Sequence, residues 1–101
     1  MYCMRIVAKS TLIAYYQKHP QAKLPLEEWY AKASQAEWDN FADMRNTFAT
    51  VSQVGNQHYV FNIKGNDYRL VVVVLFTTKT IYIRFVGTHA EYDRITNINT
   101  L

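Results

Sequence analysis

The sequence predicts an α+β fold, with helices packed on one side of an antiparallel meander. Three observations carry this prediction. Apolar residues in the first half recur at helical spacing, those in the second half fall into short runs rich in Val, Ile, Thr, Tyr and Phe, and the connections between these runs are short. Arg5 to Ala8 reads as a short strand, and Ser10 as the N-cap of a helix that ends near His19, where Pro20 forbids continuation. A second helix is expected from Pro25 at N1, with Glu27 and Glu28 in the first turn, where the helix dipole favours them. Its residues Leu26, Trp29, Tyr30 and Ala33 recur at i, i+3, i+4 and i+7, so Trp29 belongs to the core. Asn40 or Asp39 caps a short third helix through Phe41, Met44 and Phe48.

Strands follow at Thr50 to Val54, His58 to Lys64, Tyr68 to Phe76 and Thr80 to Val86. Their connections are Gly55-Asn56-Gln57, Gly65-Asn66-Asp67 and Thr77-Thr78-Lys79, and each of the three glycines, including Gly87, fits a turn. Strand alternation places Tyr59, Phe61 and Ile63 on one face and His58, Val60, Asn62 and Lys64 on the other. The unbroken apolar run Leu70 to Phe76 marks a strand covered on both sides and therefore central. Thr88-His89-Ala90-Glu91 has the form of a capping box, opening a last short helix through Tyr92 and Ile95.

Composition narrows the function. The chain has 101 residues, 50% hydrophobic and 15% aromatic. That describes one folded domain over 1–101, too small for a deep, roofed active site, so chemistry is expected on an open face. Cys3 is the single cysteine, which excludes a disulfide framework and a cysteine-based zinc site and fits a reducing cytoplasm. No apolar run approaches the ~20 residues that span a bilayer, and the start lacks a secretory signal. Met1 and Met4 are both possible starts. The formal charge of +3 is unevenly spread. Residues 1–26 carry Arg5, Lys9, Lys18 and Lys23 with no acid, and residues 27–43 carry five acids against Lys32. Residues 44–90 carry five cations against Asp67, and the remainder holds Glu91, Asp93 and Arg94. Two basic segments flanking an acidic helix suit a protein that turns one face toward a polyanion.

No metal site is expected, because His19, His58 and His89 lack the close spacing to other ligands that such sites use. Neither a G-x-S-x-G elbow nor a Gly-rich phosphate loop is present. What remains is a constellation on the sheet and its edges: Asn62, Lys64, Arg69, Arg84, His89, Tyr92 and Asp93. Arg69 interrupts an otherwise apolar strand, where a buried charge needs either a structural carboxylate, with Asp67, Asp93 and Glu91 as candidates, or an anionic ligand. Arg84 shares a face with Arg69 if the loop before Thr80 holds two residues and lies opposite if it holds three. His89 opens a helix, where a phosphate is favourable.

The segments His58-Tyr-Val-Phe-Asn-Ile-Lys-Gly-Asn-Asp-Tyr-Arg-Leu-Val71 and Tyr82-Ile-Arg-Phe-Val-Gly-Thr-His-Ala-Glu-Tyr-Asp93 resemble the signature of HigB-type toxins of type II toxin-antitoxin modules. These belong to the RelE-like group of mRNA interferases, and the likeness extends over nearly the whole chain. It implies a small curved, mainly antiparallel sheet with N-terminal helices on one face and a short C-terminal helix. It also implies an endoribonuclease that cuts mRNA on the ribosome and is inhibited by a HigA-type antitoxin, a helix-turn-helix protein. In that group an Arg on the strand after the turn contacts the scissile phosphate, and the Y-R-L-V string puts Arg69 there. Asn62 and Lys64 fall where polar or basic residues surround the reaction centre, and His89 and Tyr92 fall in the C-terminal string. The Lys-rich strand of the best-known members is replaced here by Val60, Asn62 and Lys64, which departs from a lysine general base.

Such a reaction uses neither metal nor cofactor. The 2′-hydroxyl attacks the adjacent phosphate in line, and the protein must orient the nucleotide, move protons and stabilise the phosphorane. The expected catalytic set is Arg69 and Lys64 for charge, His89 as acid or base, and Tyr92 for stacking or proton transfer. Asn62, Arg84, Asp93, Lys9 and Lys79 are the expected RNA contacts, with Asp93 also able to orient His89. A non-catalytic RNA- or ribosome-binding module is the alternative that the same basic face would serve, and a protein-interaction domain with Arg69 as a structural ion pair is a second.

Overall fold

The structure, a computed structural model, describes residues 3–65 and 67–98. Asn66 of the expected turn and Met1 as a possible start lie outside the described residues. Strand β1 (Arg5–Val7) leads into helix α1 (Lys9–Lys18), a 3₁₀ turn (Pro20–Ala22) and helices α2 (Lys23–Gln35) and α3 (Phe41–Thr47). Strands β2 (Ser52–Gly55), β3 (His58–Ile63), β4 (Tyr68–Leu75) and β5 (Thr80–Thr88) follow, and helix α4 (His89–Asp93) comes last. The five strands form one sheet in the order β1-β5-β4-β3-β2. The α+β reading holds, and β4, which carries the apolar run, is the middle strand. Among the described residues β1 is the single parallel element, running beside β5 from Arg5 opposite Thr80 to Val7 opposite Tyr82.

Several local expectations are corrected. The residue capping α1 is Ala8, whose methyl side chain supplies no hydrogen bond, and Ser10 sits inside the first turn. α2 starts at Lys23 because the 3₁₀ turn at Pro20 feeds directly into it, so Pro25 is its third residue and no acid lies in its first turn. Asn40, not Asp39, caps α3: its Oδ1 accepts the Asp43 N–H at 3.0 Å, while Asp43 Oδ2 accepts the Asp39 N–H. Lys64 is no strand residue. It turns the chain with a φ of 52°, so strand alternation does not fix its direction. Gly87 lies within β5, which runs two residues further than its apolar pattern, and Ile95 falls beyond α4. The Thr88 capping box is present in full.

The core lies between the helices and one face of the sheet. Tyr59, Phe61 and Ile63 of β3, Leu70, Val72 and Val74 of β4 and Ile81 and Ile83 of β5 pack with Leu12, Leu26, Trp29, Ala33, Trp38 and Met44. Phe61 is its aromatic hub, with the rings of Trp29 and Phe48 edge-on at 5.4 and 5.1 Å and that of Trp38 stacked at 6.5 Å. On the opposite face, Val60 and Val71 are also buried, which gives that surface an apolar floor. Asn62 and Arg69 stand on the same face beside this floor, because alternation from the core residues Phe61 and Leu70 sends them there.

Candidate active site

Arg69 pairs across the ladders with Asn62 of β3 on one side and Gly87 of β5 on the other. Its guanidinium donates through Nη1 to Asn62 Oδ1 and lies 5.4 Å from the centre of the Tyr92 ring. The Nε–H is buried and has no acceptor among the described residues. A side chain at position 87 would crowd this spot: a Cβ there would stand 2.6 Å from Cζ of Phe85, whose ring folds back along the strand. Gly87 thus sits inside β5 in close approach to the Phe85 ring rather than in a turn.

The three acids that could have neutralised Arg69 are held elsewhere. Asp67 pairs with Lys64 at 3.6 Å, on an exposed surface. Asp93 Oδ2 lies 2.9 Å from Nδ1 of His89, one helical turn earlier. Glu91 Oε1 accepts the Thr88 N–H at 2.7 Å and the Tyr15 hydroxyl at 3.4 Å. That backbone N–H is the main reason the Glu91 carboxyl titrates below its ordinary value. Arg69 is left facing a neutral amide and a ring. Its half-buried charge has no carboxylate partner among the described residues.

The β3–β4 turn and α4 are tied together at this end of the sheet. The His89 N–H donates to the carbonyl of Asp67 at 3.2 Å, so the turn that carries Lys64 is bonded to the first residue of α4. Asp93 fixes one ring nitrogen of His89 and leaves Nε2 as the nitrogen available for proton transfer. On the helix side, Tyr15 of α1 anchors Glu91, stacks on His19 at 4.2 Å and meets Tyr68 edge-on at 6.0 Å. Burial, with Glu91 and Tyr68 nearby, pushes the Tyr15 phenol up to about 12. The helical spacing puts Tyr15 on the apolar side of the first helix, but nothing in the sequence marks it as the partner of Glu91, 76 residues away. The capping box did mark Glu91, but as a helix start rather than as the anchor of α4.

The expected RNA contacts divide. Asn62 and Asp93 are in the cluster. Arg84 is the extra residue of a β-bulge between the Val72–Ile83 and Val71–Phe85 pairs. Four residues, Phe76 to Lys79, separate the paired Leu75 and Thr80, an even number with the same parity as a two-residue loop. Arg84 accordingly lies on the Arg69 side, exposed, 5.7 Å from the Tyr82 ring. Lys9 is not brought to the cluster: it caps the ring of Tyr30 at 4.8 Å on the helix layer. Nor is Lys79, which bonds the Trp38 carbonyl at 2.7 Å and pairs with Asp39. It adjoins the far end of β4, six strand residues or ~20 Å from Arg69. Among the described residues, no three His, Cys, Asp or Glu side chains form a metal-binding group, and no helix is long and apolar enough to cross a membrane.

Arg69 with the Tyr92 ring, and the His89–Asp93 pair of the same short helix, thus bring a cation, an aromatic ring and an imidazole to one end of the sheet. Residues 22–95 match the family model described as HigB_toxin, RelE-like toxic component of a toxin-antitoxin system. The chain belongs to this family. The mRNA interferase toxin HigB of Escherichia coli strain K12 is 30% identical over 98 residues, covering 95% of this chain and 94% of that protein. The mRNA interferase HigB of Shigella flexneri matches to the same extent, and that of Escherichia coli O6:H1 is 26% identical over 95 residues, 92% of either chain. The matched family region contains Asn62, Lys64, Arg69, His89, Tyr92 and Asp93. As a toxin-antitoxin component, the chain has an antitoxin for a partner.

Proposed function

We propose that this toxin is a ribosome-dependent mRNA endonuclease of the cytoplasm, one domain over residues 1–101, restrained by a HigA-type helix-turn-helix antitoxin. The observation that carries the reading is Arg69, a half-buried cation with an unpaired Nε–H, no carboxylate partner and an open face in front of it. A scissile phosphate supplies the missing negative charge and the missing acceptor together. The 2′-hydroxyl attacks the phosphorus in line, and the 5′-oxygen leaves. His89 Nε2 exchanges the proton at one of these oxygens, with Asp93 holding the ring and stabilising the imidazolium. Lys64 adds positive charge once its exposed pairing with Asp67 yields to phosphate. Tyr92 already covers the guanidinium with its ring and offers a base the same kind of contact.

Purified parent protein added to ribosomes programmed with a reporter message should produce new 5′ ends, mapped by primer extension. Arg69→Ala and His89→Ala, both still folded, should lower that cleavage by about 10²-fold or more. Equal cleavage by the variants removes these assignments, and ribosome binding without new ends favours the non-catalytic module.

A further inference from the structure

Helix α4 carries His89, Tyr92 and Asp93, yet it has five residues, too few to hold its shape or its aim alone. What orients it lies outside the cleavage chemistry. At about 100° per residue, Glu91 stands about 200° round the helix from His89, so its side chain leaves the back of α4 while the imidazole leaves the front. At that back, Glu91 Oε1 accepts the Thr88 N–H at 2.7 Å and the Tyr15 hydroxyl at 3.4 Å. It also comes so close to β5 that a Cβ on Gly87 would stand 3.0 Å from it. Gly87 is the β5 residue paired with Arg69, so the back of α4 is seated at the register of the cation.

Tyr15 is itself firmly held. Its ring stacks on His19 at 4.2 Å and 17°, meets Tyr68 edge-on at 6.0 Å and packs against the core. Tyr68 precedes Arg69 on β4 and pairs with Thr88, the N-cap of α4. One phenol therefore touches the strand that carries the cation and, through Glu91, the helix that carries the imidazole. We propose that Tyr15 is a positioning residue of this toxin: through Glu91 it fixes the rotation of α4 and so aims His89 Nε2 at the phosphate held by Arg69. This role rests on the endonuclease reading above and adds to it a residue of α1 that takes no part in the chemistry itself. A hydroxyl at the back of α4 stabilises no charge on the phosphorane. Its loss misaligns the proton transfer without weakening the hold on ribosome or message.

The test is single-turnover cleavage by the whole protein on programmed ribosomes, measured at rising toxin concentration, with thermal unfolding to show that each variant is folded. Tyr15→Phe keeps the ring and its stacking, and should lower the maximal rate about tenfold while the half-saturating concentration stays within about twofold. Glu91→Gln keeps an oxygen for the Thr88 N–H and the Tyr15 hydroxyl and should stay within about threefold of the parent, whereas Glu91→Ala should fall at least as far as Tyr15→Phe. With no imidazole left to aim, the double variant Tyr15→Phe, His89→Ala should match His89→Ala to within about twofold. A folded Tyr15→Phe protein as fast as the parent overturns the proposal, and so does a loss confined to the half-saturating concentration. Glu91→Gln as slow as Glu91→Ala overturns it as well, because the carboxylate then acts by its charge, and so does a double variant about tenfold below His89→Ala. A parent that cuts nothing strikes the endonuclease reading and this role together, an outcome distinct from all of these.

Discussion

Asn62 is placed to act through Arg69, and a double-mutant cycle measures this directly. Its Oδ1 is the acceptor that the structure gives the guanidinium, on the adjacent strand and in direct register. A hydrogen bond to a charged group contributes about 1.5–3 kcal/mol. If that bond aligns Arg69 for the phosphorane, Asn62→Ala forfeits it in the transition state. At about 1.4 kcal/mol per decade, the loss in kcat/KM is then about 10- to 150-fold. Arg69→Ala removes the charge itself and should lose about 10²–10³-fold. The informative quantity is the double variant. With Asn62 working by way of Arg69, the double variant matches Arg69→Ala to within about threefold, because no guanidinium is left to align. Single-turnover cleavage on programmed ribosomes supplies the four rate constants, and thermal unfolding confirms that each variant is folded. Independent action makes the losses multiply to about 10³–10⁵-fold, and a double variant at that level refutes the argument.

Two further outcomes follow from the same geometry. The folded state raises the Tyr15 phenol from 10.0 to about 12, so it holds the proton more tightly than the unfolded chain does. The resulting stability is complete below pH 10 and is lost as pH rises through the folded value; for a side chain only partly buried it amounts to roughly 1 kcal/mol. The parent's urea midpoint should therefore lead that of Tyr15→Phe by less at pH 12 than at pH 9, and a constant lead contradicts the linkage. Lys79→Met breaks bonds to Trp38 and Asp39 at the far end of β4, and should cost about 1 kcal/mol in urea unfolding while leaving message cleavage within about twofold. A large loss of cleavage in a folded Lys79→Met protein would instead return Lys79 to the RNA-binding set.

The sequence made Arg69 conspicuous because a cation in an apolar strand breaks a local pattern, and local patterns survive without coordinates. It could not say what neutralises that cation. Asp67, Asp93 and Glu91 were equal candidates on proximity alone, and their fates depend on contacts that no local period encodes. Glu91 is drawn to its own helix start and to Tyr15, Asp93 to His89, and Asp67 to Lys64. The face shared by Arg84 and Arg69 was equally beyond reach, since it depends on a four-residue loop and one bulge, each of which changes parity arguments by single residues. The same distinction explains why the starts of α1 and α2 shifted from expectation while the faces of the central strand did not. The first turn of α1 or α2 can shift by a few residues when a preceding turn packs well, whereas a shift of one residue in β4 would send Leu70, Val72 and Val74 out of the core. That rigidity bears on function. The strand that can least afford to slip is the one that carries Arg69, so the cation is positioned by the core itself. What the fold leaves open is its counter-charge, and with all three nearby acids engaged that charge has to arrive with the substrate.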